Sequence, residues 1–235
     1  MLVPLTRQKF EQLIPLVATG PQYKYYWGKF PDFLQRLLIS VVAASIVVLI
    51  KILFRINFGP ILFILGLIGG FYWLWGPIFW ASIRNAKCRR YKYSGFFQGR
   101  ILDLWITDEL MGKQETVNSQ GELVIVENRE KRINLEVGDD TGFTAQMQAP
   151  LKNAYKAIAV GQRVEMLVMS SRTDLSRIED ISEVFILSRE LWVNDYPYLQ
   201  RNIFMEMSYR FRESPDRRSP RRRRPRPRNR DWDDY

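Results

Sequence analysis

Hydrophobic positions along the chain fall into three regimes. Near the start, Phe10, Leu13, Ile14 and Val17 recur at helical spacing, with Thr6 placed to cap the first turn and Pro15 cutting the pattern short. Two long apolar runs follow. Phe33 to Phe54 is apolar almost throughout, and its heart from Leu37 to Ile50 is interrupted only by Ser40 and Ser45. From Ile56 to Ile83, 28 consecutive residues include no Asp, Glu, Lys or Arg. As a helix, Pro60 to Ile83 would reach about 36 Å, and a bilayer core takes roughly 20 apolar residues. The third regime has period two: Ile133, Leu135 and Val137 alternate with Arg132, Asn134 and Glu136, and Phe143, Ala145 and Met147 alternate with Thr144, Gln146 and Gln148. That alternation predicts a hairpin with one buried face.

The two apolar runs predict a membrane α-helical hairpin of two transmembrane helices, turned at Gly59-Pro60. Ser40 and Ala44 on one helix, and Gly66 and Gly70 on the other, are small-xxx-small pairs that let backbones approach in lipid, either within the hairpin or against another membrane protein. Trp27, Trp73, Trp75 and Trp80 suit a belt at one water–lipid interface. Five basic residues precede the hairpin (Arg7, Lys9, Lys24, Lys29, Arg36) and five follow it (Arg84, Lys87, Arg89, Arg90, Lys92), against Lys51 and Arg55 at its tip. That distribution places both termini on the cytoplasmic, or stromal, side.

Further strands are predicted at Phe97–Ile106, Glu122–Glu127, Arg163–Met169 and Ser182–Leu187. Their order, with Val137-Gly138-Asp139-Asp140-Thr141-Gly142 and then Gly161-Gln162-Arg163-Val164, resembles an OB-fold and implies a small all-β, OB-like barrel. Domains are therefore expected as an interfacial segment (1–32), the transmembrane hairpin (33–83), a basic juxtamembrane linker (84–94), the barrel (95–190), an amphipathic helix (191–211) and a disordered Arg/Pro-rich tail (212–235). The tail holds Arg221, Arg222, Arg223, Arg224, Arg226 and Arg228 among prolines, which cannot bury a core. It is either a solubilising arm or an electrostatic contact for anionic lipid, RNA or an acidic protein face.

Charge and composition narrow the chemistry. With 35 Lys+Arg against 25 Asp+Glu, the net charge is +10. Histidine is absent and Cys88 is the one cysteine, which removes the commonest general base and metal ligand and any intramolecular disulfide. No catalytic residues, cofactor or metal are expected.

Gly20-Pro21-Gln22-Tyr23, Tyr25-Tyr26-Trp27-Gly28-Lys29-Phe30, Tyr72-Trp73-Leu74-Trp75-Gly76-Pro77 and Tyr91-Lys92-Tyr93-Ser94-Gly95-Phe96 together resemble a group of uncharacterised cyanobacterial membrane proteins with chloroplast relatives. The likeness runs to about Tyr198 and omits the Arg-rich tail. It implies a two-span protein of a thylakoid or plasma membrane. Members are often labelled phosphate transporter permeases, but two spans enclose no polar route unless several copies assemble, and neither carries a buried charge. Three functions stay open. The favoured one is a non-enzymatic membrane-anchored accessory, assembly or scaffold protein, serving other integral membrane proteins of a larger complex, with a photosynthetic complex as one candidate. The others are a transporter subunit and a membrane tether for RNA or ribosomes through the tail.

Overall fold

The computed structural model describes residues 1–54, 59–117, 120–140 and 142–213. A short strand β1 (Leu2–Leu5) leads into helix α1 (Arg7–Leu13), whose first turn is capped by Thr6. Helix α2 (Gly20–Trp27) opens with a capping box from Thr19 and Gln22 and with Pro21 in its first turn. Helix α3 (Phe30–Phe54) is the long apolar one. Two helices, α4 (Pro60–Gly70) and α5 (Tyr72–Cys88), carry the chain back to strands β2 (Tyr93–Val117), β3 (Leu123–Gly138), β4 (Thr144–Pro150), β5 (Arg163–Ser170), β6 (Asp180–Ile186) and β7 (Leu191–Val193). Helix α6 (Arg201–Glu213) ends the described chain.

All pairings are antiparallel, in the order β4-β3-β2-β5-β6-β7. Residues 94–97 of β2 pair with β1 on one edge and β5 on the other, so β1 continues the edge that β3 leaves at Arg100. Alternation on β5 and β6 feeds two cores, because both faces of these strands are covered. Val164, Met166, Val168, Val184 and Ile186 point into the curl of the sheet with Phe97, Ile133 and Leu135. Leu167, Met169 and Phe185 point the other way, against Phe10 and Leu13 of α1 and Phe204 and Met207 of α6. Two buried carboxylates bolt α6 down: Glu183 accepts from Arg201 at 2.9 Å, and Glu165 accepts from Ser208 and pairs with Arg212 at 3.4 Å.

Several expectations are corrected. The sheet is open rather than a closed OB-like barrel: among the described residues no ladder joins β4 to β6 or β7. The predicted strands at 97–106 and 122–127 belong to two much longer ones, since β2 and β3 run past the body as a ribbon. Residues 84–94 are not a free linker, because α5 continues to Cys88, which is buried in the α1–α6 core. The helix expected over 191–211 begins only at Arg201, after strand β7.

The largest correction concerns the membrane segment. One helix, Phe30–Leu53, is long and apolar enough to cross a bilayer, and it lies near the N-terminus. The second uncharged run is not a span to match it. Its helices α4 and α5 meet at 76°, so no two-span hairpin forms. Gly69 and Gly70 weaken the helix just before the break, and Phe71 leaves helical geometry at φ −98°, ψ 13°. Trp73 donates its backbone N–H to Ser40 Oγ at 3.0 Å, satisfying one of the orphan donors that a helix start creates. That bond fixes the elbow at the level of Ser40. Beyond it, α3 continues for about 21 Å to Phe54 with α4 folded back along it.

Candidate functional site

The helices α2 and α5 and the β-domain meet around Arg84, near the end of α5. Four tyrosines surround its guanidinium: the ring centres of Tyr196, Tyr198 and Tyr25 lie 4.1, 5.2 and 5.9 Å from its central carbon, and Tyr26 packs edge-on to Tyr196. Arg84 Nε donates to the Tyr198 hydroxyl at 2.9 Å, and its terminal nitrogen stands 3.8 Å from Asp195. Asp195 also takes Arg132 of β3 at 3.2 Å. A planar cation stacked on aromatic faces keeps its charge while shedding water, which an ammonium does poorly.

Beneath this cage lies a buried amide pair. Gln22 Nε2 donates to Asn85 Oδ1 at 3.1 Å and to the carbonyl of Pro197 at 2.9 Å, while Asn85 Nδ2 returns a bond to Gln22 Oε1 at 2.8 Å. Both side chains are fully buried. The pair ties α2, α5 and the 197–198 segment together with matched donors and acceptors, which the low-dielectric interior makes costly to break. Burial pushes the Tyr198 phenol up to about 12, against the pull of Arg84, and raises Tyr196 as well. The Tyr196 hydroxyl is buried without a hydrogen-bond partner among the described residues.

A cleft of about 410 Å³ opens beside the cage, lined by Tyr26, Trp80, Arg84, Lys87, Asp180 and Tyr198. Asp180 is raised by burial, opposed by a backbone bond from Ile181 and by Arg84. Among the described residues no group of three or more His, Cys, Asp or Glu could hold a metal ion. The arrangement ties α2 and α5 to the β-domain and presents a cation and aromatic rims; among the described residues it sets no nucleophile beside a base.

The sequence-predicted residues are spread over the helical side of this junction. Ser40 serves as acceptor for the elbow, while Ala44 is half-buried on α3. A Cβ on Gly66 would lie 3.7 Å from Val47, but Gly70 has nothing within 4 Å. The close approach is at Gly69, where a Cβ would come within 2.9 Å of Ala43. Trp27 stacks on Phe33 and meets Trp73 edge-on, 5.5 and 6.4 Å between ring centres. Trp75 donates to the Ile68 carbonyl at 2.8 Å and Trp80 to the Tyr72 hydroxyl at 3.1 Å. Arg36 turns back onto the Tyr26 and Trp27 carbonyls and closes the end of α2. Arg221, Arg222, Arg223, Arg224, Arg226 and Arg228 lie outside the described residues.

Sequence reading missed Gln22, Arg84, Asn85, Tyr196 and Tyr198 as one site. Its available signal was a polar Asn85 on the apolar side of α5, together with the Tyr196-Pro197-Tyr198 spacing.

No curated protein and no solved structure matches the chain. One family model matches residues 3–215, which is nearly the whole described chain. Its description is a family of unknown function (DUF8619), and the chain belongs to that family.

Proposed function

We propose that the protein is a non-enzymatic, membrane-anchored scaffold that holds its β-domain rigidly against one face of a membrane and offers it to a larger membrane complex. The observation carrying this reading is the junction itself. Asn85 and Gln22 are locked inside it, and Cys88, four residues on from Arg84, is buried in the core of the β-domain. A domain mounted with no slack suits positioning a partner, whereas a flexible tether would suit capture at a distance. The lack of histidine in the whole sequence favours a non-enzymatic role.

The chain leaves the β-domain through α2 and α3 and returns to it through α4 and α5, while β1 at the start pairs with β2. That pairing supports a placement with the N-terminal segment and the β-domain on the same side, and the basic flanks favour the cytoplasmic or stromal one. Membranes solubilised gently after lysine crosslinking, then run on native electrophoresis with mass spectrometry, test the reading. A complex containing recurrent integral membrane neighbours is expected. Migration only as a free monomer, with no crosslinked neighbour, would overturn it.

A further inference from the structure

A hollow of about 690 Å³ opens in the β-domain where β5 begins beside β2, and it shares no lining residue with the cleft beside Arg84. Strand alternation decides which side chains face it. Phe97 and Ile101 of β2, and Val164 and Met166 of β5, point into the curl of the sheet. Gln98 and Arg100, and Arg163 and Glu165, therefore face the α6 side. Register sets Gln98 opposite Glu165 and Arg100 opposite Arg163.

These two neighbouring pairs differ sharply. In the first, Gln98 donates to Glu165 at 3.1 Å, and the same carboxylate accepts from Ser208 and pairs with Arg212. The second places two like charges directly across the ladder, with Cβ atoms about 5 Å apart, an arrangement that destabilises a sheet. Arg100 and Arg163 are both exposed and both line the hollow. Neither side chain makes a hydrogen bond or ion pair among the described residues.

Nearby acids leave the two arginines unmatched. Glu165 is buried and paired with Arg212, and Asp139 is held by the Met1 ammonium at 2.7 Å. Asp140, on the rim, is exposed and pairs with neither arginine. Part of the wall is apolar, formed by Leu187 and by Phe211 of α6, whose ring stacks on Phe96 at 4.9 Å between centres. Guanidinium forks take anionic oxygens two at a time. One fork saturates a carboxylate, whereas a phosphoryl dianion has oxygens and charge for two. An apolar wall adds a preference for an organic body over bare phosphate, and the volume suits a small ligand.

We propose that this hollow binds a phosphomonoester carrying an apolar or aromatic body, with the phosphoryl dianion between Arg100 and Arg163 and the body on Leu187 and Phe211. The site goes beyond the scaffold role and does not depend on it. Binding would relieve the repulsion across the ladder and so tie β2 to β5 beside the last turn of α6.

The full-length chain in phosphatidylcholine nanodiscs, titrated with phenyl phosphate by calorimetry and followed by thermal unfolding, tests this. Saturable binding that raises Tm is expected. Arg100→Gln and Arg163→Gln should each weaken it by about ten- to a hundredfold. Arg90→Gln, which removes an exposed charge outside the hollow, should leave it unchanged. Benzoate and inorganic phosphate should each bind more weakly than phenyl phosphate. Without ligand, both hollow variants should unfold at or above the Tm of the natural chain, because each removes a like-charge opposition. That sign separates lost binding from a lost fold. A phosphomonoester also heads phosphatidic acid, so the titration is repeated in nanodiscs doped with that lipid. Competition assigns the bound group to a lipid headgroup, no competition assigns it to a soluble ester, and either result upholds the site. No saturable binding, binding unaltered in both arginine variants, or benzoate bound as tightly as phenyl phosphate overturns it.

Discussion

Two apolar runs leave the β-domain, and only the one that carries charges is a continuous helix. Run α3 carries Asp32 and Arg36 near one end and Lys51 near the other, yet it stays helical for 25 residues. The α4–α5 run has no charge from Pro60 to Ile83 and still breaks by 76° at Phe71. Hydropathy reports which solvent a segment prefers, whereas geometry depends on local propensity and on what satisfies the backbone. Gly69 and Gly70 make the break cheap, Ser40 receives the freed Trp73 N–H, and the Gln22–Asn85 pair holds α5 in its new direction.

The strongest way to break this contrast is to release α5. Asn85→Leu strands the Gln22 amide in a buried site and should cost about 3 kcal/mol, roughly 6–12 °C in Tm, read by thermal unfolding in mild detergent. Gly69→Leu should cost about 2 kcal/mol by forcing α4 off Ala43, while Gly70→Leu, with open space, should cost far less. Ser40→Ala removes the acceptor at the elbow and should lower stability by about 1 kcal/mol, whereas Ser45→Ala on the exposed face should be nearly silent. Gly70→Ala should stabilise by about 0.5 kcal/mol, the opposite sign from an equivalent load at Gly69.

A final prediction isolates the β-domain from the helices. Burial raises Glu183, with Arg201 opposing, so the folded chain holds that proton more tightly than the unfolded one. Its contribution to stability is full below the ordinary glutamate value and is lost as pH rises through the raised one. The Tm difference between the natural chain and Glu183→Gln should therefore shift toward the natural chain as the buffer is taken from about pH 8 to about pH 5.

Much of the strand content was legible, because alternation at Ile133, Leu135 and Val137 follows directly from a sheet with one face in a core. The open sheet was not. Whether β4 meets β6 depends on the curl of β2 at its bulge between Ile101 and Asp103, and no local pattern records that curl. The ribbon was hidden for a related reason: Leu123 to Val126 has strand propensity whether it is buried or projecting. The site around Arg84 was illegible because its members come from residues 22–26, 84–85 and 195–198, and Arg84 read alone is one more basic flank.

Residue order alone places composition correctly: an apolar helix long enough to cross a bilayer, basic and aromatic flanks, and strands with a buried face. These follow from transfer free energies and side-chain periodicity, which act residue by residue. Where the uncharged run bends, how the β-domain is clamped through Gln22 and Asn85, and that the outer halves of β2 and β3 run beyond the body as a ribbon emerged only from the fold. Each of those depends on hydrogen bonds and packing between segments far apart in the chain.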